Sequence, residues 1–385
     1  MILLRMILRN TLRHKLRTVL TMIAVGVALL AFTLLSTLLA AWYSAVDASS
    51  ASRLVTRNAV SILFPMPVSY ADRIRHIKGV RRISYGSWFG GIYKTEKNFF
   101  ANFAIDAESY LDIYPEFVIG KRERADFLRD RRGFVAGKKL VDRFGWRIGD
   151  FVTLKGTIYP GDWDFVLRGV YTGKTRTVDE TQFFFHWEYL NERVRQTMPA
   201  LADQVGFFMI GVGDPNDAAR VAREVDATFA NSRSETLTES ERAFVMGFIS
   251  MSQAIVTIIR IVSLVVIGIL LVVVANTMAM TTRERRGEYA VLRTLGFGWP
   301  RLGLVIAGEA VAICLAGCVL GVLGAFPVVR LLTTKLGAYF PVFFVESSTV
   351  LMDFALASAV GVASAVVPVF QVTRIRVAQA LRGVG

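Results

Sequence analysis

Few residues in this sequence have the types and spacing that bond-making chemistry requires. The three histidines, His14, His76 and His186, lie on separate segments, so no histidine-based metal cluster is visible. Residues 169–175 read Gly-Val-Tyr-Thr-Gly-Lys-Thr, like the end of a phosphate-binding loop. That pattern needs four residues between its glycines, and here there are three. No nucleophile elbow or kinase signature stands out. Cys314 and Cys318 sit four residues apart in an apolar run and read as small packing residues on one helix face, not as a disulfide framework. The expectation is a non-catalytic chain that binds no metal or cofactor of its own.

Composition states where such a chain must sit. Of 385 residues, 53% are hydrophobic and only 20% charged, with a mean hydropathy of +0.45, which is outside the range of soluble domains. Four stretches carry the excess. Residues 18–46 and 261–282 contain no charged side chain, 302–329 contains only Glu309, and 350–373 contains only Asp353. A bilayer core of roughly 30 Å needs about 20 apolar helical residues, so each stretch can span. The first follows basic residues, as a signal peptide does, but its uncharged run is about twice the usual length, and it reads as an uncleaved anchor. Residues 47–242 hold 29 basic and 26 acidic side chains. Most of the net charge of +14 therefore flanks the spans and argues against a nucleic-acid partner.

Short loops set orientation. Arg5, Arg9, Arg13, Lys15 and Arg17 precede the first span; Arg283, Arg285, Arg286, Arg293 and Arg301 separate the second from the third; Arg374, Arg376 and Arg382 follow the fourth. Residues 331–348 hold only Lys335 and Glu346. Both termini and the middle loop are expected in the cytoplasm, with the large insertion outside. The fold class is a membrane protein of four transmembrane helices plus a large extracytoplasmic α+β domain between helices 1 and 2. Its expected parts are a basic amphipathic helix at 1–17, first span and stalk at 18–57, the outer domain at 58–237, and stalk and second span at 238–282. A cytoplasmic loop at 283–301, the third span at 302–330, an outer loop at 331–348, the fourth span at 349–373 and a tail at 374–385 complete it. The basic helix either lies flat on the anionic inner leaflet or is a plain positive-inside flank. Thr238-x-x-Glu241 fits a capping box, and with no proline before Arg283 the second span reads as one helix of 45 residues, roughly 68 Å. Strand signals fall near 80–94, 99–105, 151–155, 165–171 and 206–212, and helix signals at 67–77, 138–144 and 215–230.

Three polar or glycine features remain inside the apolar segments. Glu309 lies about two turns from Arg301; intramembrane acids are functional candidates by default, but a structural partner, an N-terminal arginine or Asn276, is preferred here over a proton relay. Gly317, Gly321 and Gly324 form a face for close helix packing. Residues 276–296 end a span and form a short amphipathic helix, with Tyr289, Leu292 and Leu295 on one face and Gly296 as its stop. Apolar knobs ringed by Arg and Glu suit a soluble cytoplasmic partner; the alternative is a mere connecting loop.

The run Arg-Glu-Arg-Arg-Gly-Glu-Tyr-Ala-Val-Leu-Arg-Thr-Leu-Gly over 283–296 resembles the coupling loop of FtsX-like permeases, the group of the MacB exporter and the LolC/LolE lipoprotein-release subunits. The opening Leu-Arg-Asn-Thr-Leu-Arg-His-Lys-Leu-Arg, the Val-Ala-Gly-Lys-Lys-Leu and Gly-Trp-Arg-Ile-Gly-Asp pair near 135–150, and the Val-Pro-Val-Phe-Gln-Val-Thr-Arg-Ile-Arg stretch from 367 are similar to the same family. The resemblance implies a permease in the bacterial inner membrane with its large domain in the periplasm. It implies a dimer, homo- or heteromeric, served by separate cytoplasmic ABC ATPase subunits that hold the ATP and Mg²⁺. Arg285, Glu288, Tyr289, Leu292, Arg293, Leu295 and Gly296 would then form the ATPase-coupling helix. Export with a periplasmic adaptor and an outer-membrane duct is the leading function; lipoprotein or lipid extraction, and transmembrane signalling to a cell-wall hydrolase, are the alternatives. Trp88, Phe89, Phe184 and Trp187 are candidates for contact with cargo or adaptor, against the plainer reading as core strand.

Overall fold

The computed structural model describes residues 15–336, 340 and 342–373. Of the basic helix expected at 1–17, residues 1–14 lie outside the described residues, as does the tail at 374–385, and Lys15 to Arg17 open the first long helix. The chain divides into two compact units, a helical one from Met1–Ala41, Gln253–Lys335 and Phe343–Gly385, and a mixed one from Trp42–Ser252 and Leu336–Val342.

The mixed unit begins at Trp42, inside α1 (Lys15–Ala48). It continues through β1 (Arg53–Asn58), β2 (Met66–Pro67), α2 (Tyr70–Arg75), β3 (Val80–Trp88), β4 (Asn102–Ile105), α3 (Tyr110–Ile113), β5 (Phe117–Val118) and α4 (Lys121–Arg129). Next come β6 (Gly133–Gly137), α5 (Lys138–Phe144), β7 (Phe151–Gly156), β8 (Gly161–Gly173), β9 (Phe183–His186) and α6 (Trp187–Thr197). It closes with β10 (Gln204–Val205), β11 (Phe207–Val212), α7 (Ala218–Phe229), β12 (Thr236–Ser240) and α8 (Glu241–Met251). Ten strands form one mixed sheet in the order β12-β1-β11-β3-β4-β9-β6-β8-β5, with β7 added on β8. Most neighbours are antiparallel; β4 with β9 and β6 with β8 are parallel. Side chains alternate across a strand, so Phe183 and Phe185 enter the core on one face while Phe184 enters the other. A strand covered on both faces needs no polar alternation, which accounts for three consecutive phenylalanines in β9.

The sequence places the outer domain at 58–237, but its sheet starts at Arg53 and ends at Ser240. The segment expected as stalk before residue 58 is a turn followed by β1, and the expected helix from Thr238 starts later. Thr238 lies in β12, where its hydroxyl bonds to Thr56 and Asp226. Ser240 caps α8 instead, accepting from the Ala243 N–H at 3.2 Å. Nor is the helix continuous, because α8 stops at Met251 and α9 (Gln253–Glu284) begins after Ser252. Gly247 weakens that stretch, and the Ser250 hydroxyl back-bonds to the Gly247 carbonyl, a contact that favours a bend.

The helical unit comprises the first part of α1, then α9, α10 (Arg286–Thr294), α11 (Trp299–Leu336) and α12 (Ser347–Thr373). Four helices, Lys15–Ala48, Gln253–Glu284, Trp299–Thr333 and Ser347–Thr373, are long and apolar enough to cross a membrane. The protein is thus a multi-pass membrane protein with a sheet-containing domain inserted between its first and second spans. Val25, Leu29, Leu270, Val274, Ile306, Cys314, Cys318 and Ala357 fill the bundle core from all four spans. Gly317, Gly321 and Gly324 pack α11 against α1. A side-chain carbon on Gly321 would stand 2.6 Å from the Gly26 carbonyl oxygen and 3.0 Å from the Leu30 nitrogen. Only glycine allows backbones that close.

Candidate functional site

The loop between α9 and α11 is short, charged and organised around one arginine. Arg285 occupies the N-cap of α10, where its carbonyl accepts from the Tyr289 N–H at 3.1 Å. Its side chain is buried. Nη1 donates to Glu309 Oε2 at 3.1 Å, Nε donates to Glu288 Oε2 at 3.0 Å, and the guanidinium lies 5.3 Å from the Tyr289 ring centroid. Burial opposes the Arg285 charge, but Tyr289, Glu288 and Glu309 together raise its pKa above the ordinary value. Burial pushes the Tyr289 phenol up to about 12, so it stays neutral. At the far end Gly296 has a φ of +90°, with its N–H on Arg293 and that of Phe297 on Leu292, a left-handed stop that favours glycine.

These bonds fasten α10 to α11 by a buried ion pair and leave its other face open. Val291 is 46% and Leu295 71% exposed, four residues apart on one side. Tyr289 and Ala290 are buried, and Leu292 packs against the bundle core. Tyr289 and Leu292 therefore point inward, and the expected shared face of Tyr289, Leu292 and Leu295 gives way to one of Val291 and Leu295. Arg293 is half-buried. Nearby, Arg17 of α1 makes a bidentate pair with Glu284 of α9 at 2.7 and 2.8 Å.

Other expected residues lie elsewhere. Glu309 finds its partner in Arg285; the arginines at 5, 9 and 13 lie outside the described residues. Asn276 is exposed on α9 and so is not a buried partner. Phe89 and Phe184 are fully buried and Trp187 nearly so. As core residues they cannot touch cargo or adaptor, which corrects that expectation. Trp88 alone of the four keeps an open edge, at 37% exposure. The glycine-lysine run at 169–175 starts inside β8, not in a loop opening a helix. Among the described residues no group of three metal-ligating side chains forms.

Sequence reasoning missed a second buried charge cluster, in the mixed unit. Arg53, the first residue of β1, pairs through Nε with Glu241 at 2.7 Å and through Nη2 with Glu116 at 2.7 Å, over the Tyr114 ring. Tyr114, its pKa raised well above normal by burial, donates to Glu241 at 3.0 Å. Glu241 opens α8 and also accepts from the Ser50 N–H at 2.8 Å. The two strands of chain that connect the mixed unit to the first and second spans are thereby tied together. An arginine soon after one span and a glutamate at the start of the helix before the next were the only signal.

A family model described as "MacB-like periplasmic core domain" matches residues 18–228, and one described as "FtsX-like permease C-terminal" matches 260–377. The first covers more than half of the chain. Among solved structures, the extracellular domain of the noncanonical ABC-type transporter YknZ from Gram-positive bacteria is similar at 10% identity and a TM-score of 0.35, over 49% of this chain and all of that one. A domain of a putative permease from Porphyromonas gingivalis is similar at 14% identity and a TM-score of 0.33, over 49% of this chain and 88% of that one. No curated protein gives a match.

Proposed function

The chain belongs to the FtsX-like, MacB-type ABC transporter permeases, and on that premise we propose that it converts ATP hydrolysis by a separate cytoplasmic ATPase into movement of its outer domain, for export. The observation that carries this reading is α10. An interfacial helix locked to a span by a buried ion pair can pass on a push, while its exposed Val291 and Leu295 offer a soluble partner two apolar knobs. ATP and Mg²⁺ are held by that partner; the chain itself supplies position and leverage. On this reading both termini and α10 face the cytoplasm of a bacterial inner membrane and the mixed unit faces the periplasm, as the basic short loops imply. In the proposed assembly two copies pair, and α9, which carries a long outward apolar row from Ile258 to Val272, is a natural face for that contact or for lipid. The cluster of Arg53, Glu241, Glu116 and Tyr114 keeps the two connections to the membrane moving as one.

The test is a tagged pull-down from gently solubilised native membranes, with mass spectrometry of the partners. Recovery of a soluble ATPase supports the permease reading. A co-purifying periplasmic adaptor supports export, whereas an acylated protein points to extraction and a cell-wall hydrolase to signalling. An intact, folded chain that brings down no ATPase would refute the proposal.

A further inference from the structure

Asp353 lies in the second turn of α12, about 9 Å in from Ser347. It is 0% exposed. Its Oδ2 lies 2.8 Å from the Thr33 hydroxyl of α1, and its Oδ1 has no hydrogen-bond partner. Thr33 has a second short contact, 2.7 Å from the Leu29 carbonyl one turn back, and Thr37 repeats this against the Thr33 carbonyl at 2.7 Å.

One hydroxyl has one hydrogen. A carbonyl oxygen can only accept, so the Leu29 contact requires the Thr33 hydrogen. The Asp353 contact is then a full hydrogen bond only if the hydrogen in it comes from Asp353. An ionised Asp353 would instead share a single hydrogen with Leu29 through one oxygen, leave the other oxygen bare, and hold a full charge in hydrocarbon. Among the described side chains the surroundings supply no countercharge. Helix α1 has no Asp, Glu, Lys, Arg or His between Thr18 and Val46. Helix α11 contributes the buried thiols Cys314 and Cys318, and its Glu309 is paired with Arg285. Arg260 of α9 and Arg330 of α11 are exposed, and Glu346 precedes α12, where it bonds to Ser348. Among the described residues no ion pair includes Asp353.

We propose that Asp353 is a proton-binding site within the membrane, a neutral carboxylic acid whose O–H donates to Thr33 and so latches the fourth span to the first. The relay runs from Asp353 O–H to the Thr33 oxygen, and from the Thr33 O–H to the Leu29 carbonyl. Losing the proton to water breaks the Oδ2–H bond and leaves the carboxylate and the Leu29 carbonyl to compete for the one Thr33 hydrogen, which loosens the latch. The contact between α1 and α12 is therefore proton-dependent. This inference stands apart from the transport reading.

Infrared spectroscopy of the full chain in lipid vesicles tests it. The neutral-pH spectrum should contain a carboxylic-acid C=O band that is lost in Asp353→Asn, which keeps size and neutrality. In Thr33→Val the band should persist but shift. Raising the pH until the band disappears should lower the thermal stability of wild type more than that of Asp353→Asn. No band difference between wild type and Asp353→Asn would overturn the proposal, because the acid would be ionised. An unshifted band in Thr33→Val would overturn the latch. Should Asp353→Asn fail to assemble, carbonyl-labelled aspartate in wild type and in Thr33→Val yields the same two readings.

Discussion

Replacing Glu309 by Gln tests how α10 is anchored. Glu309 and Arg285 are both buried and joined at 3.1 Å. Removing one member of a buried ion pair costs about 3–5 kcal/mol, because the other charge is stranded. Here Arg285 retains Glu288 at 3.0 Å, on a side chain 41% exposed, and the new amide oxygen still accepts a hydrogen bond. The expected loss is thus about 2–3 kcal/mol. Arg285→Met alone takes the guanidinium away from both Glu309 and Glu288 and should cost at least as much. The double replacement Arg285→Met with Glu309→Leu removes both charges and should fall within about 1 kcal/mol of wild type. With Glu309→Leu as the second single variant, the cycle of wild type, Glu309→Leu, Arg285→Met and the double yields a coupling free energy of about 3 kcal/mol or more, roughly a 150-fold change in an equilibrium. Reversible unfolding in mixed micelles measures all these proteins. Additive single losses, with the double variant the least stable of the set, would refute the claim that this pair fastens the helix.

Three further outcomes follow from the same structure. Val291→Asp with Leu295→Asp alters only the exposed face of α10; stability should change by less than about 0.5 kcal/mol, while stimulation of the partner ATPase falls severalfold in a reconstituted assay. Gly321→Ala would push a carbon to 2.6 Å from the Gly26 carbonyl oxygen, whereas Gly324→Ala meets only the Leu30 side chain at 3.0 Å. The first should cost about 1–3 kcal/mol and the second less than about 1, read by unfolding in micelles. His186 is buried with its Nε2 2.8 Å from the Phe127 carbonyl, and burial lowers its pKa below the usual value. The unfolded chain therefore takes up a proton first as pH falls. Stability should be intact above about pH 6.5 and decline below it towards the folded pKa, and His186→Gln should flatten that slope.

The spans were legible because a charge-free run of more than about 20 residues is long enough to cross a bilayer and too apolar to face water. The α10 loop was legible because Gly296 and its dense charges punctuate it. The outer strands were less so. β6 and β9 are buried on both faces, so they lack the period-two pattern that marks β7, and Phe183–His186 could be taken for a sticky surface as easily as for a core. Thr238-x-x-Glu241 satisfied a capping pattern that Ser240 fulfils instead, since pairing with β1 holds Thr238 in a strand. Which side of α10 faces outward depends on where α11 puts Glu309, and the sequence does not reveal that. The pairs Arg53 with Glu241 and Thr33 with Asp353 join residues 188 and 320 positions apart, beyond the reach of local spacing rules.

Coupling requires that α10 touch an ATPase. Cys314 and Cys318 are both buried, so a thiol introduced by Leu295→Cys is the one that a thiol-directed cross-linker should reach in native membranes. The expected result is a covalent adduct with a nucleotide-binding ABC subunit, which Val60→Cys, on an exposed loop of the mixed unit, does not give. An intact, membrane-inserted Leu295→Cys chain that forms no such adduct, or forms it no better than Val60→Cys, would contradict the coupling mechanism.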